Sequence, residues 1–330
     1  MVNYELDPDA LVNAINPETL KVRPPRLVVF LCGGVIGKKE APPATLRDAF
    51  SRAHDAAKDQ KYKVILVESA KPLTADAGYS DLLTFESDIA GAVGLIVLFA
   101  ESAGSLAELG SFAASNKIAP SILAILDDFY YAEDSFIKNG PVRHLENEYG
   151  EDWILVLERS DIGISDRGQP EGLDVIKLFS QVSEVIERRL GRRHALSKLD
   201  ITNNGHLILL ISGLCQEYGA LTITEIERYL NVLGITMLSR PRIKNLLYCA
   251  ELLGWIKEKR KGNYNYFVST GGDPAIDYSL KTSGQIGTIV SKGDVKVKFR
   301  GEIRSHWENH ERARINAIRE CLQEGIEPQR

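Results

Sequence analysis

No two cysteines stand at metal-ligand spacing in this sequence. The four, Cys32, Cys215, Cys249 and Cys321, are scattered along 330 residues. That argues against both a zinc site and a disulfide framework. Six histidines are present, none in an HExxH arrangement. His306 and His310, four apart, read as a solvated helical face rather than half of a metal site. No metal and no bound cofactor are therefore expected. No apolar run approaches the ~18–20 residues of a membrane span. The N-terminal stretch is acidic and lacks the basic-then-apolar order of a signal peptide, so a cytoplasmic protein is expected. The phosphate-binding signatures are missing too. Cys32-Gly33-Gly34 is no GxGxxG, and Gly37-Lys38-Lys39 has neither the spacing nor the hydroxyl of a P-loop. There is no G-x-S-x-G elbow.

What is present divides into an acidic front and a basic back. Residues 1–190 hold 19 Lys and Arg against 30 Asp and Glu; residues 191–330 hold 21 against 15. Such asymmetry suggests different partners, and the basic half is the one to test for nucleic acid. In the front half, apolar runs at 27–32, 62–68, 94–100, 120–127 and 153–157 alternate with helical patterns at 45–60, 81–92, from 106, and 173–190. That order predicts an α/β fold with a doubly wound, parallel, five-stranded sheet. The predicted boundary falls at Leu190-Gly191-Arg192-Arg193. Beyond it come helices at 206–219, 222–230 (opened by a Thr222–Glu225 capping box) and 239–253, then a hairpin around Lys261-Gly262-Asn263. Three helices and a hairpin predict a winged helix-turn-helix over 191–300, followed by a charged helical tail over 301–330.

The chemistry converges on the stretch 94–113, GLIVLFAESAGSLAELGSFA. It reads as strand, polar loop and helix, with Glu108 in the expected first turn. Ligands of open α/β sheets sit at the carboxyl ends of strands. Glu108 is either the working carboxylate of an N-glycosidic-bond enzyme or a partner of the helix dipole, and a Ser105-x-x-Glu108 capping box favours the second reading. Ser102 and Ser105 can donate hydroxyls to a sugar or phosphate, and Gly104 permits close approach. Cys32, Gly33 and Gly34 form a second loop at the same edge, for substrate or simply for a tight turn. Asp81 and Glu86 are candidates to hold ribose hydroxyls or orient the nucleophile. Five apart, they cannot share one narrow helix face, so Asp81 belongs at the N-cap and Glu86 farther in. Asp88 reads as solvated, and Asp127-Asp128 as either site carboxylates or a turn. In the back half, Arg240, Arg242 and Lys244 on the third helix and Lys257, Lys259, Arg260 and Lys261 on the wing are the expected phosphate contacts, with Tyr264 and Tyr266 placed to stack on a base or to pack.

ESAGSLAELGSFA after a strand resembles the nucleoside 2-deoxyribosyltransferase-like superfamily, in which the matching glutamate attacks the anomeric carbon. That role falls here on Glu108. Together with Phe30-Leu31-Cys32-Gly33-Gly34, Asp81-Leu82-Leu83…Glu86 and Ser135-Phe136-Ile137…Gly140-Pro141, it resembles the toxin effectors of bacterial retrons, whose order of domains matches nearly the full chain. The resemblance implies an N-glycosidase, with NAD or a related nucleotide as substrate rather than cofactor. It implies as partners the retron reverse transcriptase and its branched RNA–DNA hybrid (multicopy single-stranded DNA), which would hold the toxin inactive, and a homo-oligomer or filament. Cys-Gly-Gly stands where simple deoxyribosyltransferases often carry an aromatic. The reading from another class is a ligand-sensing winged-helix transcription regulator without catalysis.

Overall fold

The computed structural model describes residues 7–71, 73, 77–164, 172–193, 195–281 and 292–326. Two compact units emerge, each discontinuous in sequence: Arg26–Lys71 with Leu83–Ala195, and Met1–Pro25 with Pro72–Leu82 and Leu196–Arg330. The expected front segment 1–190 is therefore shared between them. The reason is a small antiparallel sheet in which Lys21–Val22 pairs with Ile276–Asp277 on one side and Ser197–Lys198 on the other. The helix predicted to end near Leu190 runs on through Gly191 to Arg193. No described helix is long and apolar enough to cross a membrane.

The first unit is built on five strands: β1 (Val28–Cys32), β2 (Lys63–Leu66), β3 (Leu95–Phe99), β4 (Ile122–Asp127) and β5 (Ile154–Leu157). All pair in parallel, in the order β2-β1-β3-β4-β5. This is the flavodoxin-like order, whose direction reverses between β1 and β3. β1, β3 and most of β4 are buried on both faces, which is why they read as continuous apolar runs rather than alternating ones. Val29 and Leu31 turn to one face, where α1 (Leu46–Ala56) packs through Ala49 and Phe50, and α4 (Val175–Arg193) through Leu178, Val182, Ile186 and Leu190. Phe30 turns to the other, meeting Phe85 of α2 (Leu82–Ala90) edge-on at 6.1 Å between ring centroids. By strand alternation Cys32 shares that face.

Gly33 ends β1 with φ of 136°. A Cβ there would lie 2.6 Å from the Phe99 carbonyl oxygen at the end of β3. The approach of two neighbouring strand ends within the fold is by itself enough to demand the glycine. Gly33→Ala is expected to destabilise the protein by about 1–3 kcal/mol from the backbone conformation alone. An unchanged urea midpoint would contradict that.

In the second unit, α5 (Asn204–Tyr218) ends at Gly219, whose φ is 78°. α6 (Ile223–Val232) opens on the predicted capping box, with Thr222 Oγ1 accepting the Glu225 N–H and Glu225 accepting the Thr222 N–H. α7 (Arg240–Leu252) is capped by Ser239 and stops at Gly254, φ 73°. β6 (Ala220–Leu221) then pairs with the far strand of a hairpin, β7 (Ile256–Lys261) and β8 (Tyr264–Ser269), which turns at Gly262. The single predicted tail helix is two: α8 (Lys292–His310) and α9 (Arg312–Ile326). Neither is merely solvated. Ile303 and Trp307 of α8 and Ile315, Ala317 and Cys321 of α9 are buried, and Trp307 Nε1 donates to the Tyr218 carbonyl at 3.0 Å.

Candidate active site

The loops after β1 and β3 flank the topological switch point, and two carboxylates gather at that edge. α3 (Ala103–Ala114) begins three residues earlier than predicted. Ser102 is its N-cap, accepting the Ser105 N–H at 3.2 Å, while Ser105 Oγ accepts the Ser102 N–H at 2.9 Å. The capping box is therefore Ser102–Ser105, not Ser105–Glu108. Glu108 is the sixth residue of the helix, beyond the first turn where a carboxylate best complements the dipole. Its Oε2 is buried without a hydrogen-bond partner among the described residues, a costly placement for a carboxylate with no further purpose. Burial raises the Glu108 pKa, the Arg47 guanidinium works to lower it, and Glu68 adds to the rise.

Glu86 comes from α2 with 5% exposure. Burial, and next the charge of Glu108, push its pKa up to about 7. Of the two carboxyls, Glu108 has the cation: Arg47 acts on it and favours its ionised form. Glu86 therefore favours its protonated form, while for Glu108 the Arg47 cation opposes the rise that burial causes. The Cys32 thiol lies fully buried within the field of both. Burial, then Glu108, then Glu86 hold its pKa well above the usual thiol range. Such an environment disfavours the thiolate, the reactive form of a cysteine.

Arg47 is the residue that sequence reasoning missed. It is fully buried on α1 and donates to the carbonyls of Leu31 (2.8 Å) and Gly34 (2.8 Å), and through two nitrogens to Glu68 (2.6 and 2.5 Å). Beside it, Glu101 accepts the N–H groups of Leu46 (2.8 Å) and Arg47 (3.1 Å), capping α1 from the end of β3. Gly34 backs onto that carboxylate, since a Cβ there would lie 2.8 Å from Glu101 Oε1. Asp48 and Arg52 clasp the rest of the loop. Asp48 accepts the N–H groups of Gly37 and Ala44, and Arg52 donates to the Lys38 and Ala41 carbonyls.

Several expected roles change. Ser105 is buried and its hydroxyl is spent in the cap, so it is not free for a sugar; Ser102 is half-buried in the same cap. Gly104 is exposed, and a Cβ there meets nothing closer than 3.9 Å, so internal packing does not require a glycine. Asp88, read as solvated, is 1% exposed. Asp127 and Asp128 serve the turn: Asp127 caps Tyr130 and pairs with Arg159 at 2.8 Å, and Asp128 accepts the Arg159 N–H. Asp81 immediately precedes α2, as expected of a cap, and accepts from Ser80 Oγ at 2.9 Å, but it belongs to the other compact unit. Phe136 is exposed, its ring lying 3.3 Å from where a Gly140 Cβ would stand, so the Phe136–Gly140 spacing has a packing cause.

In the second unit, Arg240, Lys244 and Arg260 are exposed, Arg242 is half-buried, and Arg240 donates to Thr224 Oγ1 at 3.0 Å. Tyr264 is exposed, but Tyr266 is a core residue at 3%. The lysines behave differently from expectation. Lys257, Lys259 and Lys261 are ion-paired with Glu320 and Glu324 of α9. A groove of about 780 Å³ runs between the start of α6, the hairpin tip and the start of α9, lined among others by Arg228, Arg240, Tyr264 and Arg312. Asn245 of α7 donates to the Ala77 carbonyl at 2.6 Å, and Tyr79 Oη lies 3.1 Å from Cys249 Sγ. Among the described residues no cluster of three or more His, Cys, Asp or Glu is arranged to hold a metal.

Comparison with known proteins gives a family and two relatives. Residues 43–258 match the family described as STM3845 retron effector protein. Over 120 residues the chain is 33% identical to a protein of Escherichia coli named as a candidate ribosyltransferase/DNA-binding protein of retron Ec86. Over 181 residues it is 24% identical to the correspondingly named protein of retron Ec73, also from Escherichia coli. The matches cover 36% and 53% of this chain, and 38% and 56% of those relatives.

Proposed function

The chain belongs to the STM3845 retron effector family, and from that premise we propose that its parallel-sheet unit is a nucleoside deoxyribosyltransferase-like N-glycosidase. NAD or a related nucleotide is the substrate. The observation that carries this reading is the pair Glu86 and Glu108, near enough for the charge of Glu108 to help raise the Glu86 pKa, with Arg47 acting on Glu108. Glu108 attacks the anomeric carbon through an oxocarbenium-like state, and the C–N bond breaks with its electron pair leaving on the base. Glu86, protonated up to about pH 7, donates to a departing neutral nucleobase. Nicotinamide, cationic while attached, departs neutral without that proton. Water then opens the glycosyl ester on Glu108. Gly104 leaves room at the start of α3. Exposed Val35, after β1, and exposed Phe129 and Phe136, after β4, offer apolar surface for a base.

The pH dependence follows in sign. Glu86 is raised from 4.5 to about 7, so the folded protein holds its proton more tightly than the unfolded chain. The stability it contributes is complete below pH 4.5 and is lost as pH rises through about 7. Turnover on a neutral nucleoside falls across the same range, because the donor is lost. Glu86→Gln is expected to flatten this limb and to slow cleavage of neutral nucleosides by about 10²-fold or more, with NAD affected less. An unaltered pH–rate profile in that variant refutes the assignment.

The second unit we read as a winged helix for nucleic acid, supported by α5–α7 followed by the β7–β8 hairpin, by the basic charge of residues 191–330 and by the names of the two relatives. On this reading the retron's reverse transcriptase and RNA–DNA hybrid bind there and hold the glycosidase in check during antiviral defence.

A further inference from the structure

The hairpin carries a row of three lysines, and the chain itself occupies them. Lys257, Lys259 and Lys261 alternate along β7, which spaces them about 6.7 Å apart. Glu320 and Glu324 stand one helical turn apart on α9, about 6 Å along its axis. The two rows interlock. Lys257 pairs with Glu324, Lys259 with both glutamates (3.2 Å to Glu320), and Lys261 with Glu320. Lys257 and then Lys259 hold the Glu324 pKa down at about 2.

α9 is not held uniformly. Its first turns are anchored by the buried Arg314, which donates to Glu225 and to the Ala220 carbonyl. Ala313, Ala317, Ile318 and Cys321 pack on Ala220, Tyr266 and Val268. Past Cys321 the next apolar residue, Leu322, is exposed, and the lysine pairs at Glu324 hold the helix to the hairpin. Lys259 is buried beneath the helix, whereas Lys257 and both glutamates are solvent-accessible, and accessible ion pairs add little to stability and weaken with salt. Four carboxylate–ammonium contacts on one strand face exceed what is needed to fasten a helix whose first turns are already anchored elsewhere.

We propose that the Lys257–Lys259–Lys261 row is a polyanion-docking surface, and that Glu320 and Glu324 occupy it as an internal phosphate mimic. A nucleic-acid backbone displaces the last turns of α9 in order to bind. The nucleic-acid identity of the ligand rests on the proposed function; the masking of the row does not. Cys321 supplies a reporter. Cys321, between the two glutamates in sequence, is 6% exposed, while Cys32, Cys215 and Cys249 are fully buried.

The test compares the full-length protein with Glu320→Gln/Glu324→Gln. Affinities for a single-stranded oligonucleotide and for heparin are measured across a salt series, and thiol labelling is followed with a Cys321→Ser control. The double variant is expected to bind both polyanions at least about tenfold tighter, with a log–log salt slope steeper by up to about 3 for the three lysines released. Either polyanion is expected to accelerate Cys321 labelling in the unaltered protein, a measurement independent of how the variant folds. Tighter heparin binding without any oligonucleotide binding keeps the mask and removes nucleic acid as its ligand. Equal oligonucleotide binding by both proteins, with Cys321 still protected, removes the mask and leaves the nucleic-acid reading on Arg240 and Lys244. Failure of both probes to bind either protein overturns the proposal.

Discussion

Glu108→Gln is expected to abolish cleavage of the N-glycosidic bond, with kcat falling on the order of 10³-fold or more while the protein stays folded. The amide keeps the shape of the side chain and removes the charge and the nucleophilic oxygen. The substitution also relieves a buried charge: Glu108 Oε2 has no hydrogen-bond partner among the described residues, and burial already raises the pKa of the group. Stability should therefore be unchanged or higher. Loss of activity joined to equal or greater resistance to urea separates a catalytic carboxylate from a structural one. Removing the charge should also let the Glu86 pKa fall back toward the ordinary carboxylate range, because Glu108 is one of the two causes of its rise. Retained turnover, or toxicity to cells at the unaltered level, would leave the unit as a binding module.

Arg47→Met should be the most damaging single change in the sheet unit. It removes a fully buried guanidinium and leaves the Leu31 and Gly34 carbonyls without their donors and Glu68 without its two-nitrogen partner. Breaking such an arrangement from one side costs about 3–5 kcal/mol, moderated here because Glu68 is 52% exposed and can rehydrate. Arg47→Lys is not a rescue, since one ammonium cannot reach carbonyls and carboxylate in the fork geometry of Arg. Urea denaturation gives the stability. The pH–rate profile gives the second readout: without the cation the Glu108 pKa rises further, and activity at low pH should be lost first. A midpoint within experimental error of the unaltered protein would show that Arg47 is dispensable.

The legibility of the site differs from residue to residue. Glu108 was visible because a strand, a polar loop and a helical run are local patterns. Its immediate competitor, the Ser105–Glu108 capping box, was visible for the same reason and was wrong: the helix starts at Ala103, and Ser102 takes the cap. Glu86 was legible as a candidate, but its raised pKa was not, because that depends on burial and on Glu108 from another helix. Arg47 was hidden in an amphipathic helix because its partners come from Leu31, Gly34 and Glu68, spread across 38 positions of sequence and brought together by the sheet. The lysines of β7 read as free phosphate contacts because Glu320 and Glu324 lie some 60 residues away.

Sequence by itself determined the five parallel strands, the helices between them, the Thr222–Glu225 cap, the hairpin at Gly262 and the candidacy of Glu86 and Glu108. These follow from periodicity, capping and turn chemistry, which act over a few residues. Tertiary structure alone decided the strand order, and with it the switch point; the pairing of Lys21–Val22 with strands near both 197 and 276; the burial of Asp88; the raised pKa of Glu86; and what the hairpin lysines face. Each of those depends on desolvation or on charges between residues distant in sequence, and neither is set until the chain has folded.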